Sequence, residues 1–314
     1  MIYLEMYGRL GNQLFRYAAA RSLQLNYYPE EKLIINFNQV YKLSDHDSSF
    51  DNYLKHFNVV SYEEYRKRGK VIFNESSLSQ KVVSIPYYLK LRKIRPEEMN
   101  KLVNVEKEWH KKLQAKGVYW FRKGEYGFAK SEAKNKFLSG PFENPIYFDN
   151  IRSVLLKEFK PKYKLLDKNK KLLETIQNTN LICVSVRRGD YENNSNITRL
   201  HSVCNKQYYE RAIEIMKKRI DNPVFFMFSD DINWVRENIN TDCTTYYEDG
   251  TDPVWEKLRL MSNCKHFIIS NSTFSWWAQY LSEYEDKTVI SPDRWYNNDY
   301  KSPLINKEWI QVPV

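Results

Sequence analysis

The chain has 314 residues, with 49 Lys and Arg against 39 Asp and Glu, a formal charge of +10, and a composition that is 42% hydrophobic and 15% aromatic. That apolar content supports a large core and excludes a disordered chain, while only 9 Gly, 4 Cys and no long heptad run exclude collagen, disulfide-knot and coiled-coil classes. No apolar stretch approaches the roughly 18 residues needed to cross a bilayer, and residues 1–6 lack the charged and apolar regions of a secretion signal.

The length predicts two domains, and the missing signal a cytoplasmic protein. Residues 2–6 read as a short buried strand, followed by a turn at Gly8-Arg9-Leu10-Gly11. Asn12 is then expected to cap a helix running to about Leu25, because Leu14, Phe15, Tyr17, Ala18 and Leu25 recur at helical spacing. Residues 34–37 suggest a second strand, and the stretch from there to about 140 reads as mostly helical. Gly140-Pro141 and Asn144-Pro145 punctuate the chain, and residues 148–159 read as a helix leading into a linker. The expected boundaries are 1–160 and 161–314.

The second half alternates regularly. Strands are expected at 181–186, 224–228, 266–270 and 289–291, and helices at 205–218, 232–238, 252–262 and 275–281. Such alternation predicts a parallel, doubly wound α/β sheet. The four cysteines, Cys183, Cys204, Cys243 and Cys264, are scattered without metal-ligand spacing. Asp45-His46-Asp47 has the form of a D-x-D metal motif but sits in a Ser/Asp-rich loop and reads as a solvated turn, so no metal is expected.

The positive charge is local. Residues 61–140 hold 19 Lys and Arg against 9 Asp and Glu, which leaves 30 of each in the rest of the chain. This basic helical segment is either a face for an anionic partner, a membrane surface or nucleic acid, or a solvated set of helices with no partner.

Four strand-end segments carry the candidate chemistry, since ligands of open α/β sheets bind beyond the carboxyl ends of strands. Gly8-Arg9-Leu10-Gly11-Asn12-Gln13 offers close backbone approach and a helix start, or a plain tight turn. Val186-Arg187-Arg188-Gly189-Asp190-Tyr191 places two guanidinium groups at a strand end. One neighbouring acid does not neutralise both, so anion binding is favoured over an internal ion pair. Phe228-Ser229-Asp230-Asp231 supplies carboxylates for ribose or base groups, or helix caps. Ser270-Asn271-Ser272-Thr273-Phe274-Ser275-Trp276-Trp277 puts small hydroxyl residues before a helix with a packed aromatic wall.

In this order, GRLGNQLFRYAAA from Gly8, VRRGDY, FSDD and SNSTFSWW resemble the bacterial α-1,2-fucosyltransferases of glycosyltransferase family 11. The likeness is strong at the N-terminus and from residue 181 onward, and thin between about 40 and 140. It implies a GT-B-like fold of two Rossmann-like domains with a cleft between them, an N-terminal acceptor side and a C-terminal GDP-sugar side. It also implies GDP-L-fucose as donor, with inverting transfer to the 2-hydroxyl of a terminal β-galactose on a glycan acceptor, lipid-linked or free. No cofactor or metal is implied. By the same resemblance Arg187 and Asp190 are the catalytic candidates. Arg188, Ser229, Asp230, Asp231, Asn271, Ser272, Thr273 and Ser275 are donor-binding candidates, and Gly8, Leu10, Gly11, Asn12 and Gln13 line the cleft on the acceptor side.

The family pattern is His-x-Arg-Arg-x-Asp, and this chain has Ser185 at the first position. That departure keeps other GDP-6-deoxyhexoses, such as colitose, as an alternative donor. Asp190 is the motif acid, yet the neighbouring arginines lower the basicity of any carboxylate there, so a base role and an arginine-anchoring role both stand. A non-catalytic nucleic-acid-binding protein is the reading from another class. It leaves the strand-end motifs unexplained, so no nucleic acid is expected. The basic segment instead suggests the acceptor side: peripheral contact with an anionic membrane at its inner face.

Overall fold

A computed structural model describes residues 1–188 and 195–314. The chain forms two compact units, Met1–Lys160 and Pro161–Val314.

The first unit contains, in order, β1 (Ile2–Glu5), α1 (Leu10–Tyr27), β2 (Leu33–Asn36), α2 (Asn38–Ser44), β3 (Glu63–Glu64), α3 (Val71–Glu75), α4 (Leu78–Leu91), α5 (Met99–Ala115), β4 (Val118–Trp120), β5 (Lys136–Ser139) and α6 (Arg152–Glu158). Its strands pair in the order β3-β2-β1-β5-β4, all parallel. β1 lies at the centre, with Ile2 opposite both Leu33 and Lys136. Residues of β1 and β2 are buried almost throughout, as expected for strands covered on both faces. α1 is fastened by Glu158, which receives the Tyr17 hydroxyl at 2.6 Å and pairs with Arg21 at 2.9 Å.

Two expectations change here. α1 begins at Leu10 with Arg9 in the cap position, so Leu10, Gly11 and Asn12 lie in its first turn and Asn12 is not the cap. The stretch 61–140 holds the three helices α3, α4 and α5, but it also supplies β3, β4 and β5, more than half of the sheet. These strands span only two to four residues, and β4 and most of β5 are buried, so no alternating pattern marks them. After β4 the chain is steered by Glu106. Its fully buried carboxylate accepts the backbone N–H groups of Arg122, Lys123 and Gly124 at 2.6, 3.1 and 2.6 Å.

The second unit contains α7 (Lys170–Asn178), β6 (Asn180–Val186), α8 (Ser195–His201), α9 (Lys206–Arg219), β7 (Pro223–Ser229), α10 (Ile232–Asn238), β8 (Thr245–Tyr247), α11 (Val254–Ser262), β9 (His266–Ile268), α12 (Thr273–Leu281), β10 (Val289–Pro292) and β11 (Ile310–Val312). The sheet order is β11-β10-β9-β6-β7-β8, again all parallel. Every strand and helix expected in this half is present; α7, α8, β8 and β11 are additions. Ile182, Val184, Val186, Phe225 and Met227 pack with Tyr208, Ala212 and Met216 of α9 to form the core. Numbered within the unit, the strand order is that of a Rossmann fold. The chain leaves β6 toward one edge, later returns to β9 on its other side, and so creates a switch point between β6 and β9. Both units are Rossmann-like, in agreement with the α/β class expected.

Candidate active site

In the second unit the carboxyl ends of β6, β7 and β9 bring the candidate residues to one edge of the sheet. Arg187 and Arg188 follow β6 directly, at the switch point where a crevice is built into this topology. β6 and β7 are in register through Val186 and Ser229, so the arginines face the acids that follow Ser229. Arg187 Nη1 lies 2.9 Å from Asp230 Oδ2, and the Arg188 backbone N–H donates to Asp230 Oδ1 at 2.9 Å. Arg188 Nε stands 3.5 Å from Asp231 Oδ2, and its guanidinium carbon sits 3.6 Å from the centre of the Trp234 ring. The ring fixes a flat cation by stacking while leaving its edge for hydrogen bonds.

The two acids divide the roles left open by the sequence. Asp230 binds the arginines. Asp231 caps α10, accepting the Trp234 N–H at 3.3 Å, while its own N–H donates to Ser229 Oγ at 2.9 Å. The Ser229 N–H points at Glu248 Oε1, 3.4 Å away, and Glu248 pairs with Lys257 at 2.9 Å. Burial pushes the Glu248 carboxyl above its ordinary value, opposed by Lys257. The side chains of Arg187 and Asp230 remain 27% and 24% exposed, so the pair is reachable by a ligand. Asp190, with Gly189 and Tyr191, lies outside the described residues.

The segment after β9 splits in two. Ser272 stands before α12 without a side-chain cap bond, and it and Thr273 stay partly exposed at the positive end of that helix. Asn271 and Ser275, both donor-binding candidates, are buried and make contacts within the unit. The Asn271 amide donates to the carbonyls of His201 and Trp295 at 2.8 and 3.0 Å. Ser275 Oγ meets Ser185 Oγ at 2.6 Å and Ser270 Oγ at 3.2 Å. This cluster joins β6 to α12, so the position where the family pattern has histidine is here a packing contact. Cys204 beside Asn271 has its thiol pushed up to about 12 by burial, which makes it a poor nucleophile.

In the first unit the turn after β1 is equally specific. Gly8 has φ +84, and a Cβ there would stand 2.7 Å from the Asn12 side chain, so both conformation and space require glycine. Leu10, Gly11 and Gln13 are buried. The Gln13 amide donates to the carbonyls of Gly8 and Asp51 at 2.9 and 2.7 Å and accepts the Tyr53 N–H at 3.0 Å. Gln13, a cleft-lining candidate, thus ties the turn after β1 to the loop at 51–53. Arg9 reaches Ser49 at 2.7 Å and Asp47 at 3.1 Å and packs on Phe50, so Asp47 anchors an arginine. Hydrogen bonds from Ser49, then Arg9, hold the Asp47 carboxyl below its usual value. Among the described residues no cluster of three metal-ligating side chains occurs.

Sequence reasoning missed Trp234, Glu248 and the Ser185–Ser275–Ser270 cluster. A tryptophan three residues into a helix that begins at a strand-end acid was the one available signal for a cation platform. The other contacts join residues far apart in the chain.

Two doubly wound units with strand-end sites make a GT-B architecture, and the fold neighbours agree. A crystal structure of NodZ α-1,6-fucosyltransferase co-crystallized with GDP matches with a TM-score of 0.51 at 14% identity, over 93% of this chain and 94% of that one. The profile of Glycosyl transferase family 11 matches residues 1–313, and the chain belongs to that family. It is therefore a glycosyltransferase. It is 28% identical to the O-antigen biosynthesis glycosyltransferase WbnK of Escherichia coli, over 99% of this chain and 100% of that protein. It is 30% identical to an α-1,2-colitosyltransferase of Escherichia coli, over 99% of each. Galactoside α-(1,2)-fucosyltransferase 2 of Mus musculus is 29% identical over 54% of this chain and 52% of its own length. Among the described residues no helix is long and apolar enough to cross a membrane.

Proposed function

We propose that the protein transfers L-fucose from GDP-L-fucose to the 2-hydroxyl of a terminal β-galactose on a glycan of surface-polysaccharide assembly, with inversion. The observation that carries this reading is the arginine pair at the β6 end. Two fixed, partly exposed cations stand at the switch point, each oriented by a carboxylate from the β7 end. Negative charge develops on the β-phosphate as the sugar leaves. Guanidinium groups already in place stabilise it without reorganisation, so this step needs no metal from the chain. Arg187 is assigned to that phosphate. Arg188, clamped on Trp234, is assigned to the nucleotide side. Ser272 and Thr273 at the start of α12 are suited to further phosphate oxygens. We assign the first unit, with Gly8 and Asn12 at its β1 end, to the acceptor. Cleavage toward an oxocarbenium-like sugar leads in this scheme, and removal of the acceptor proton trails.

A second donor, a GDP-linked colitose, is favoured by one observation. The relative named as a colitosyltransferase matches along its whole length, whereas the mammalian fucosyltransferase matches over about half. The deciding experiment supplies GDP-fucose and GDP-colitose with a panel of β-galactosides, followed by linkage analysis of the product. Fucose on O2 of galactose supports the first reading. Colitose transfer alone moves it to the second. No stabilisation by GDP relative to UDP in a thermal shift, with no transfer from either donor, rejects both.

A further inference from the structure

We infer that the exposed face of α4 seats the protein on an anionic lipid bilayer. Leu78, Val82, Ile85 and Leu89 are 79%, 65%, 42% and 52% exposed. Their spacing of four, three and four residues places them in one stripe along the helix. The opposite face is used internally: Gln80, Ser84, Tyr87 and Leu91 are buried, and the Gln80 amide donates to the carbonyls of Lys116 and Asn135. Among the described residues only five aliphatic side chains larger than alanine are strongly exposed, and four of them form this stripe. An apolar concentration of this kind on one surface helix marks an interaction face.

What covers it is decided by charge. α4 contains no Asp or Glu. Lys81 borders the stripe within α4 by helical position, and Arg92, the cap residue, and Lys93 follow directly at the helix's C-terminal end. Lys90 and Lys112 both lie over the Trp109 ring, at 5.5 and 5.9 Å, which brings a lysine of α5 beside the end of α4; one acid, Glu108, stands 3.5 Å from Lys90. The helix sits within the stretch of 19 basic and 9 acidic residues that carries the whole net charge. A second copy meeting this face would bring cations onto cations. A bilayer with acidic headgroups accepts the apolar stripe among its acyl chains while its phosphates meet the flanking lysines and arginines. This placement does not depend on which sugar is transferred.

The test is co-sedimentation of the full chain with vesicles of phosphatidylcholine alone and with phosphatidylglycerol added, alongside V82S/I85S/L89S and K81E/R92E/K93E variants. These side chains are largely solvent-facing, and an unchanged melting temperature establishes that each variant folds. Wild type is expected to partition about tenfold or more in favour of the anionic vesicles, with the preference shrinking as salt rises. The serine variant should lose about tenfold of that partitioning, and the glutamate variant the preference for phosphatidylglycerol. Wild-type binding that is absent, or equal for both vesicle types, overturns the inference. So does unchanged binding of the serine variant. A dimer in sedimentation velocity that the serine variant abolishes gives the face to a second copy instead.

Discussion

Arg187 and Asp230 meet at 2.9 Å across the ends of two neighbouring parallel strands, and the same carboxylate holds the Arg188 amide at 2.9 Å. One acid therefore fixes both the side chain of the first arginine and the backbone of the second. The fork of Arg187 is aimed before any ligand arrives.

Replacing Arg187 by alanine is expected to lower turnover by about two to three orders of magnitude. Its side chain is partly exposed, so the melting temperature should hardly move. Lysine at this position keeps the charge and loses the fork, and should fall between the two. Steady-state rates with GDP-fucose measure this, and an alanine variant of near wild-type activity would remove Arg187 from the leaving-group role.

Asp230→Asn retains an acceptor for the Arg188 amide but gives up the charge that orients Arg187. We expect a loss of about tenfold in kcat/KM, smaller than that of Arg187→Ala. Because both changes act on one guanidinium, the double variant should be no worse than Arg187→Ala alone. Simple multiplication of the two losses would show that Asp230 acts independently.

Ser185 tests what the departure from the family pattern means. Ser185→Ala leaves Ser275 with one hydroxyl contact at 3.2 Å and should cost about 1 kcal/mol. Ser185→His must fit where Ser275 already stands at 2.6 Å, and overpacking should destabilise the unit by about 1–3 kcal/mol. Chemical denaturation of the variants reads both. A histidine variant as stable as wild type would show that the surroundings make room.

Gln13→Ala should destabilise the first unit by roughly 3 kcal/mol, because it strips partners from the Gly8 and Asp51 carbonyls and the Tyr53 N–H together. The residues around 51–53 should lose hydrogen-exchange protection first. Uniform loss across the unit would mean that Gln13 does not pin this loop.

His266 gives the protein an acid sensitivity of defined sign. Burial, then the Lys265 cation, holds its imidazole below the ordinary 6.5, and its Nδ1 accepts the Thr288 N–H at 3.1 Å. As pH falls through about 6.5 the unfolded chain takes up a proton that the folded chain refuses, so stability declines until the native group also titrates. Melting temperatures across pH 5 to 8 should therefore fall more steeply for wild type than for His266→Gln. Parallel curves would place the acid sensitivity elsewhere.

The second unit was largely legible because β6 and β7, at seven residues each, are long enough to show as apolar runs, and both end in a motif with an abrupt change of chemistry. Val186 to Arg187 and Phe228 to Ser229 are such steps. The pairing of the arginines with Asp230 and Asp231 was not legible, since it depends on β6 and β7 being neighbours in register. The internal contacts of Asn271 and Ser275 were equally hidden, since residue type does not tell which backbone carbonyls and neighbouring serines a buried amide or hydroxyl will meet. In the first unit β4 and β5 were hidden by brevity. Three or four buried residues carry no period, and the many lysines around them gave the stretch a helical composition.

β1 is flanked by β2 and β5, and its pairing with β5 sets Ile2 beside Lys136, whose N–H donates to the Met1 carbonyl. During synthesis the central strand therefore waits with one edge bare until some 130 further residues have emerged. Closing so long a span is entropically costly and slow. Until then Ile2, Tyr3 and Leu4 present an unpaired apolar edge to other nascent chains. A chain that ends before Lys136 lacks the strand that covers this edge, so the first sheet closes only when a late strand reaches an early one.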